Sequence, residues 1–330
     1  VAARRPPASD DYDVTGLAEQ PAEGTERSRL SRALAAAAVV LAEAGVGPAR
    51  AEAELLAADV LGVSRGRLAL VERFNPAQLA RFDELVARRA RREPLQYLLG
   101  TAGFRHLELA VGPGVFVPRP ETELLAGWGI EQARNLGGGG EVTIVDLCSG
   151  TGAVALSAAE EVPGARVVAV ERAAPALDWL RRNAAARAAA GDRPIEVVAG
   201  DVTDPGLLGG LAGRVDVLLC NPPYVPDATV VAPEVAGYDP ADAVFGGPDG
   251  LEVIRPVIDR AAELLRPGGV LGIEHDDTHA EAVPALLRSD GRFADVMDHR
   301  DLTGRPRYVT ARRASSSRPT EQAGWLPARA

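Results

Sequence analysis

A chain of 330 residues with 46% apolar and 25% charged side chains can hold one large or two ordinary domains around a sizeable core. Its net charge of -10 argues against a protein whose main work is coating nucleic acid. Two cysteines, Cys148 and Cys220, exclude a disulfide framework, no Cys or His spacing suits a metal, and the longest apolar run (33–42) falls far short of the ~20 residues that span a bilayer.

Residues 1–28 are polar, carry prolines and show no apolar period, so they read as a disordered extension. The opening Val1-Ala-Ala-Arg-Arg has no apolar run and is no secretory signal; the missing initiator Met fits a non-AUG start or a processed end. From Arg29 a helical period begins with Leu30, Leu34, Val40 and Leu41, and it stops at Gly45-Val-Gly-Pro48. A second helix over 49–61 places Leu55, Leu56, Val60 and Leu61 on one face and ends at Gly62. Ser64 can cap a short third helix, and Asn75-Pro76 opens a fourth with Leu79, Phe82, Leu85 and Val86 at helical spacing. Residues 29–93 are therefore a small helical domain. It holds eleven Arg against eight Asp or Glu, and its dense cluster Arg88-Arg89-Ala-Arg91-Arg92 is either a solvated face or a contact to an acidic or RNA-associated partner.

Over 94–120 the pattern becomes that of a β-hairpin linker. Residues 104–111 alternate apolar and polar, Gly112-Pro-Gly114 turns, and Val115-Phe-Val117 resumes. Residues 121–313 then alternate strand and helix, which predicts an α/β domain with a parallel sheet covered on both faces. Strands are expected at 142–147, 167–170, 195–198 and 217–220, and helices at 153–161 and 175–190. Asp249-Gly-Leu-Glu252 caps a helix that Pro256 should bend, Arg266-Pro-Gly-Gly269 makes a tight turn into a strand over 270–274, and 307–310 is an edge strand. Residues 314–330 read as a mobile tail.

Four chemical signals fall at the carboxyl ends of successive strands, where open α/β sheets bind ligands. The first is Asp146 with the turn Cys148-Ser149-Gly150-Thr151-Gly152, whose glycines let backbone approach a ligand at a helix start. Glu171 is placed to accept from ribose hydroxyls, and Asp201 to meet an amino group or to cap a helix. The fourth is Asn221-Pro222-Pro223-Tyr224, closing the apolar strand 217–220. Two prolines end the ladder, and Pro222 pushes Asn221 out of the α region, so a stiff turn presents an amide, backbone carbonyls and a ring. That set suits gripping a planar NH2 group.

With Arg92-Glu-Pro-Leu-Gln-Tyr-Leu-Leu-Gly100, Val117-Pro-Arg-Pro-Glu-Thr-Glu123, Asp146-Leu-Cys-Ser-Gly-Thr-Gly152, Asn221-Pro-Pro-Tyr224 and Arg266-Pro-Gly-Gly269, the chain resembles HemK-type class I methyltransferases over about residues 29–312. These enzymes methylate the side-chain amide nitrogen of glutamine in peptide-chain release factors. The resemblance implies a class I, Rossmann-like methyltransferase sheet with the helical domain as a substrate-docking module, in the cytoplasm, with neither direct nucleic-acid nor membrane binding. It implies S-adenosylmethionine as cofactor and S-adenosylhomocysteine as product. It assigns 148–152 to the methionine part, Glu171 to the ribose, Asp201 and Val202 to the adenine, Asn221 to both ligands, and Pro222, Pro223 and Tyr224 to the glutamine. Asn221, Pro222 and Tyr224 are then the catalytic set. Cys148 stands where many relatives have Gly, Val202 where some place an aromatic, and the segment Glu274-His-Asp-Asp277 receives no role.

The same gripping turn occurs in DNA adenine-N6 and RNA guanine-N2 amino methyltransferases, the chief alternative. A nicotinamide oxidoreductase or a binding module would rest on the glycine turn alone. Cys148 and Cys220, on strands that neighbour each other in such a sheet, are expected to lie close together as small buried groups.

Overall fold

The computed structural model describes residues 24–136 and 141–315; most of the expected N-terminal extension and the tail beyond 315 lie outside the described residues. The chain divides into two compact units, Val1–Ala90 and Arg91–Ala330.

The first unit is helical. Helix α1 (Gly24–Glu43) starts before the apolar period does, and α2 (Ala49–Leu61) ends on Gly62 in the left-handed conformation. A short 3-10 turn (Arg65–Leu70) leads to α3 (Pro76–Ala90). Asn75 and Gln78 exchange side-chain-to-amide bonds of 2.9 and 2.8 Å, a reciprocal cap that satisfies two orphan N–H groups. Leu34, Leu41, Leu56, Phe82 and Leu85 form the core. On α2 the buried face is Ala53, Leu56 and Ala57, whereas Leu55, Val60 and Leu61 are half-buried, so small residues rather than the leucine stripe make the close contacts. Part of the basic cluster is taken up internally. Arg89 is buried and paired with buried Glu52, and Arg88 lies near Glu84.

The second unit opens with α4 (Leu95–Leu99) and a hairpin of β1 (Thr101–Phe104) and β2 (Leu107–Ala110). Phe104 pairs with Leu107, so the turn is Arg105-His106 and not the expected Gly112-Pro-Gly114. Arg105 takes a left-handed φ of 51°, its N–H donates to Glu123, and its guanidinium grips Glu161 at 2.6 and 2.9 Å. The glycines serve packing instead: a Cβ on Gly112 would sit 2.6 Å from Trp179, and one on Gly114 2.7 Å from Pro175.

Then follow α5 (Thr122–Leu136), β3 (Thr143–Leu147), α6 (Ala153–Glu161), β4 (Arg166–Glu171), α7 (Ala174–Ala189), β5 (Glu196–Ala199), β6 (Val215–Cys220), α8 (Pro233–Tyr238), α9 (Ala241–Val244), α10 (Ile254–Leu264), β7 (Leu265–Glu274), α11 (Ala282–Asp290), β8 (Phe293–Arg300) and β9 (Pro306–Arg313). The seven-stranded sheet runs β5-β4-β3-β6-β7-β9-β8, with β9 antiparallel to both neighbours and the rest parallel. This is the expected α/β methyltransferase-type sheet, covered on both faces. Val145, Leu147, Val168, Val170 and Leu218 pack toward α10 and α11, while Ile144, Val167, Ala169, Val217 and Leu219 pack toward α5, α6 and α7. The period of two thus feeds two cores from one sheet.

Three local expectations change. Segment 307–310 belongs to β9, which is internal and buried at Val309, Thr310 and Ala311; the edge strand on this side of the sheet is β8, whose Asp295, Asp298 and His299 hide a strand pattern while protecting an open edge. Pro256 falls in the first turn of α10, where its missing N–H has no intrahelical partner, so it produces no internal bend. Arg266-Pro-Gly-Gly269 is an irregularity within β7, since Leu265 already pairs with Val215 before Val270 pairs with Val217.

Candidate active site

Asp201, Glu171, the turn 148–152 and Asn221–Tyr224 stand at the carboxyl ends of β5, β4, β3 and β6, which are neighbours in that order. They surround one cavity at the place where strand order reverses between β3 and β6. All the predicted site residues except Gly152 line it. Gly152 begins α6 with φ 86°, and a Cβ there would approach Leu180 to 2.6 Å.

The glycine turn is held from three directions. Ser149 N–H donates to the Val170 carbonyl at 2.9 Å, Ser149 Oγ to the Asp146 carbonyl at 2.8 Å, and Gly152 N–H to the Ser149 carbonyl at 2.8 Å. Cys148 accepts a φ of 58° despite its side chain, a conformation that costs an L-residue ~1–2 kcal/mol. Gly150, at φ 55°, has nothing within 4 Å of where a Cβ would be, so the turn stays open for a ligand. Asp146 is buried and accepts from the Ala155 amide at 3.2 Å, satisfying an orphan donor of α6. Burial pushes its carboxyl up to about 7 against the pull of Ser149 and Ala155.

Glu171 ties β4 to that turn. Its Oε2 accepts from Gly150 N–H at 2.9 Å, and Oε1 from Arg172 and Ala173 N–H at 2.8 and 2.7 Å. Since a carboxylate offers roughly four acceptor positions, about one stays open, room for one ligand hydroxyl in this conformation rather than two. Asp201 closes its own turn by accepting from the Thr203 N–H and hydroxyl at 2.9 and 2.8 Å, and Arg172 lies 3.4 Å from its other oxygen. Burial pushes Asp201 upward, but Thr203 and Arg172 outweigh it and hold the group below the ordinary range. Val202 is buried in the cavity wall and offers no ring to stack on.

At the end of β6, Asn221 Nδ2 donates to Thr122 Oγ1 at 3.1 Å, which leaves the amide oxygen as an acceptor at the cavity. The Tyr224 hydroxyl donates to Glu274 Oε1 at 2.8 Å. Glu274, at the end of β7, is buried, and its Oε2 has no well-formed hydrogen bond. Burial pushes this carboxyl up to about 7, against the pull of the Thr122 and Tyr224 hydroxyls and of Arg307. Burial, and then Glu274, push the Tyr224 phenol far above its usual value. Cys220 is buried and Cys148, next to its paired neighbour Leu147, is half-buried at the cavity, so only one of the two thiols is the buried group expected; burial first and Cys148 second raise Cys220.

The far wall comes from residues after the Asn-Pro-Pro-Tyr turn. Pro240, Asp242, Ala243 and Val244 line the cavity, and a bridge between Val225 and Phe245 closes this loop on itself. Arg92 holds Glu234 at 2.7 Å, Arg119 pairs with Asp239, and the Tyr238 hydroxyl donates to the Arg91 carbonyl at 3.1 Å. So Arg92, like Arg89, is engaged within its own unit. Sequence reasoning left out Thr122, Glu274 and the 240–244 wall. Thr122 lay inside the quoted Pro-Arg-Pro-Glu-Thr-Glu segment and Glu274 at a predicted strand end, whereas nothing marked the wall.

Residues 32–100 match the PrmC N-terminal domain family, and residues 133–236 match the methyltransferase small domain family. The release factor glutamine methyltransferase of Mycolicibacterium smegmatis is 51% identical over 290 residues, covering 88% of this chain and 100% of that one. The proteins of the same description from Streptomyces coelicolor and Mycobacterium tuberculosis (strain H37Rv) are 48% and 47% identical, covering 83% and 86% of this chain and 94% and 91% of theirs.

Proposed function

The chain belongs to the release factor glutamine methyltransferase family, and we propose that it carries a methyl group from S-adenosylmethionine to the N5 amide nitrogen of the glutamine in the Gly-Gly-Gln loop of peptide-chain release factors. The observation that carries this reading is the orientation of Asn221. Its NH2 is taken by Thr122, so an amide oxygen, with the neighbouring Pro222 carbonyl, is left to accept the two N–H bonds of a substrate NH2 group. Relatives matched across nearly their whole length are glutamine enzymes, which sets aside the nucleic-acid amino methyltransferases that share this turn.

The residues present suit the cofactor. The open turn at Gly150 would take its methionine part, the remaining acceptor position of Glu171 a ribose hydroxyl, and Asp201 with Val202 the adenine. When bound, S-adenosylmethionine supplies an activated methyl on a sulfonium. The protein's task is then alignment. A primary amide nitrogen is a weak nucleophile because its lone pair is shared with the carbonyl; two rigid acceptors on its N–H bonds draw that pair out of conjugation and aim it. Orientation of this kind is worth up to ~7–11 kcal/mol. Pro222 serves well because its backbone costs little to order. Tyr224 packs on the amide plane, and no strong base is required because the nitrogen proton leaves readily after methylation. The helical unit would dock the body of the release factor, whose single loop offers too little surface for selectivity. A translation-factor substrate implies a cytoplasmic site of action; no described helix is long and apolar enough to cross a membrane.

A labelled-methyl assay tests the reading with four separate acceptors: a release factor, the same factor with the loop glutamine replaced, nucleic acid and free glutamine. Label should enter the first alone. Label in nucleic acid, or in the factor lacking the glutamine, would overturn it.

A further inference from the structure

Two successive prolines leave the Asn221–Tyr224 turn poorly able to hold itself. Neither Pro222 nor Pro223 has an N–H to donate, so the turn's position is set by what abuts its carbonyls. The abutting segment runs over 244–250, between α9 and α10. Val225 N–H donates to the Val244 carbonyl at 3.0 Å and Gly246 N–H to the Val225 carbonyl at 2.9 Å, which lays the segment alongside the end of the turn. Two of its glycines then meet the turn's own carbonyls. A Cβ on Gly246 would sit 2.6 Å from the Pro223 oxygen, and one on Gly250, at φ 71°, 2.3 Å from the Tyr224 oxygen. Only a Cα without a side chain lets two backbones come so near.

Behind Gly250 stands His279, buried, on the short turn Asp277–His279 that follows β7. Its Cε1 lies 2.7 Å from where a Gly250 Cβ would be, and its Nε2 is 3.0 Å from the Asp249 carbonyl. A carbonyl only accepts, so Nε2 carries a proton and donates it. The imidazole thereby holds Gly250 against the Tyr224 carbonyl.

We infer that the Gly246–Gly250 segment, with His279 behind it, is a positioning device for methyl transfer: it fixes the peptide planes of Pro223 and Tyr224, and through them the Pro222 carbonyl assigned to the substrate NH2. The inference rests on the glutamine-methyltransferase reading and adds what keeps that acceptor in place. Peptide planes are rigid and proline φ is locked, so a displacement at Pro223 passes on to Pro222. Ordinary contact begins at 3.4 Å, so an alanine at position 246 drives the Pro223 carbonyl and the segment apart by about 0.8 Å. Gly246 does not adopt a left-handed φ, so this substitution acts by contact alone.

The test uses the full chain, a release factor as acceptor and saturating cofactor. Wild-type turnover on the factor establishes the reading beneath; only the ratio of variant to wild type bears on positioning. Gly269→Ala is the control, at the opposite end of β6, where a Cβ would come 2.9 Å from the Val215 carbonyl, the same kind of clash away from the site. We expect Gly246→Ala to lower kcat by about 10- to 100-fold, the loss that a misplacement of about 1 Å brings. KM for the release factor and the affinity for S-adenosylhomocysteine should stay within about threefold. Gly269→Ala should keep kcat within about threefold, whatever it costs in the urea midpoint. His279→Leu should lose about tenfold in kcat, and His279→Gln, which keeps a donor for the Asp249 carbonyl, should recover most of it. Wild-type kcat in Gly246→Ala overturns the proposal, as do a loss confined to KM or to cofactor affinity and an equal loss of kcat in Gly269→Ala. Equal kcat for His279→Leu and His279→Gln overturns it too. If Gly246→Ala does not fold, the His279 pair decides.

Discussion

Replacing Asn221 by Ala separates alignment from binding. The substitution removes one of the two acceptors assigned to the substrate amide and leaves the Pro222 carbonyl and Tyr224 in place. It also strips Thr122 Oγ1 of its donor at a buried position. Removing one preorganised hydrogen-bonding partner from a reacting centre costs about 2.7–4 kcal/mol in comparable enzymes, so kcat should fall by roughly 100- to 1,000-fold. The orphaned hydroxyl should lower folding stability by about 1–3 kcal/mol. Cofactor affinity should stay within about threefold, because the glycine turn, Glu171 and Asp201 hang on β3, β4 and β5 and are bonded to one another rather than to Asn221. Single-turnover methyl transfer gives the first quantity, urea unfolding the second and titration calorimetry with S-adenosylhomocysteine the third. Unchanged transfer with normal cofactor binding would refute the scheme. So would a loss of affinity matching the loss of rate, since Asn221 would then be part of the cofactor site alone.

Three further outcomes follow from the same geometry. Glu171→Gln replaces an acceptor of three backbone amides by a group with only one acceptor oxygen, so cofactor affinity should drop by about 10- to 100-fold, read by equilibrium dialysis, while release-factor affinity holds. Arg89→Ala should destabilise the helical unit by about 3–5 kcal/mol because it leaves Glu52 charged and buried, whereas Arg88→Ala should cost less than about 1 kcal/mol; equal urea midpoints for the two would show that Arg89 is not structural. Burial raises the folded-state carboxyls of Asp146 and Glu274 to about 7, above their unfolded values, so their contribution to stability is full at low pH and is lost as pH rises from about 4 through 7. Glu274→Gln should therefore gain on wild type by on the order of 1–3 kcal/mol between pH 5 and pH 8, and a difference that does not move with pH would refute that assignment.

What the sequence showed and what it hid divide along one physical line. Asp146, Glu171, Asp201 and Asn221 were legible because each lies at or just past the carboxyl end of a strand, which is marked locally by an apolar run that stops. The sheet topology then brings four such ends together, so placing each one placed the cavity. Glu274 and Thr122 matter through partners far along the chain, and no local period announces a hydrogen bond across 50 or 99 residues. Strand β8 escaped for the opposite reason: an edge needs charges on its open side, and those charges erase the alternation that identifies a strand. The hairpin turn moved to Arg105-His106 because ion pairing with Glu161 replaces the glycine chemistry that such a turn otherwise requires. The basic cluster near Arg92 misled in the same way, since a run of arginines reads as a surface until Glu52 and Glu234 are found opposite Arg89 and Arg92. Residues whose role is set by the backbone they end are readable from sequence; residues whose role is set by what faces them are not. On this reasoning Asn221 belongs to both kinds, placed by the end of β6 and given its acceptor face by Thr122 on α5.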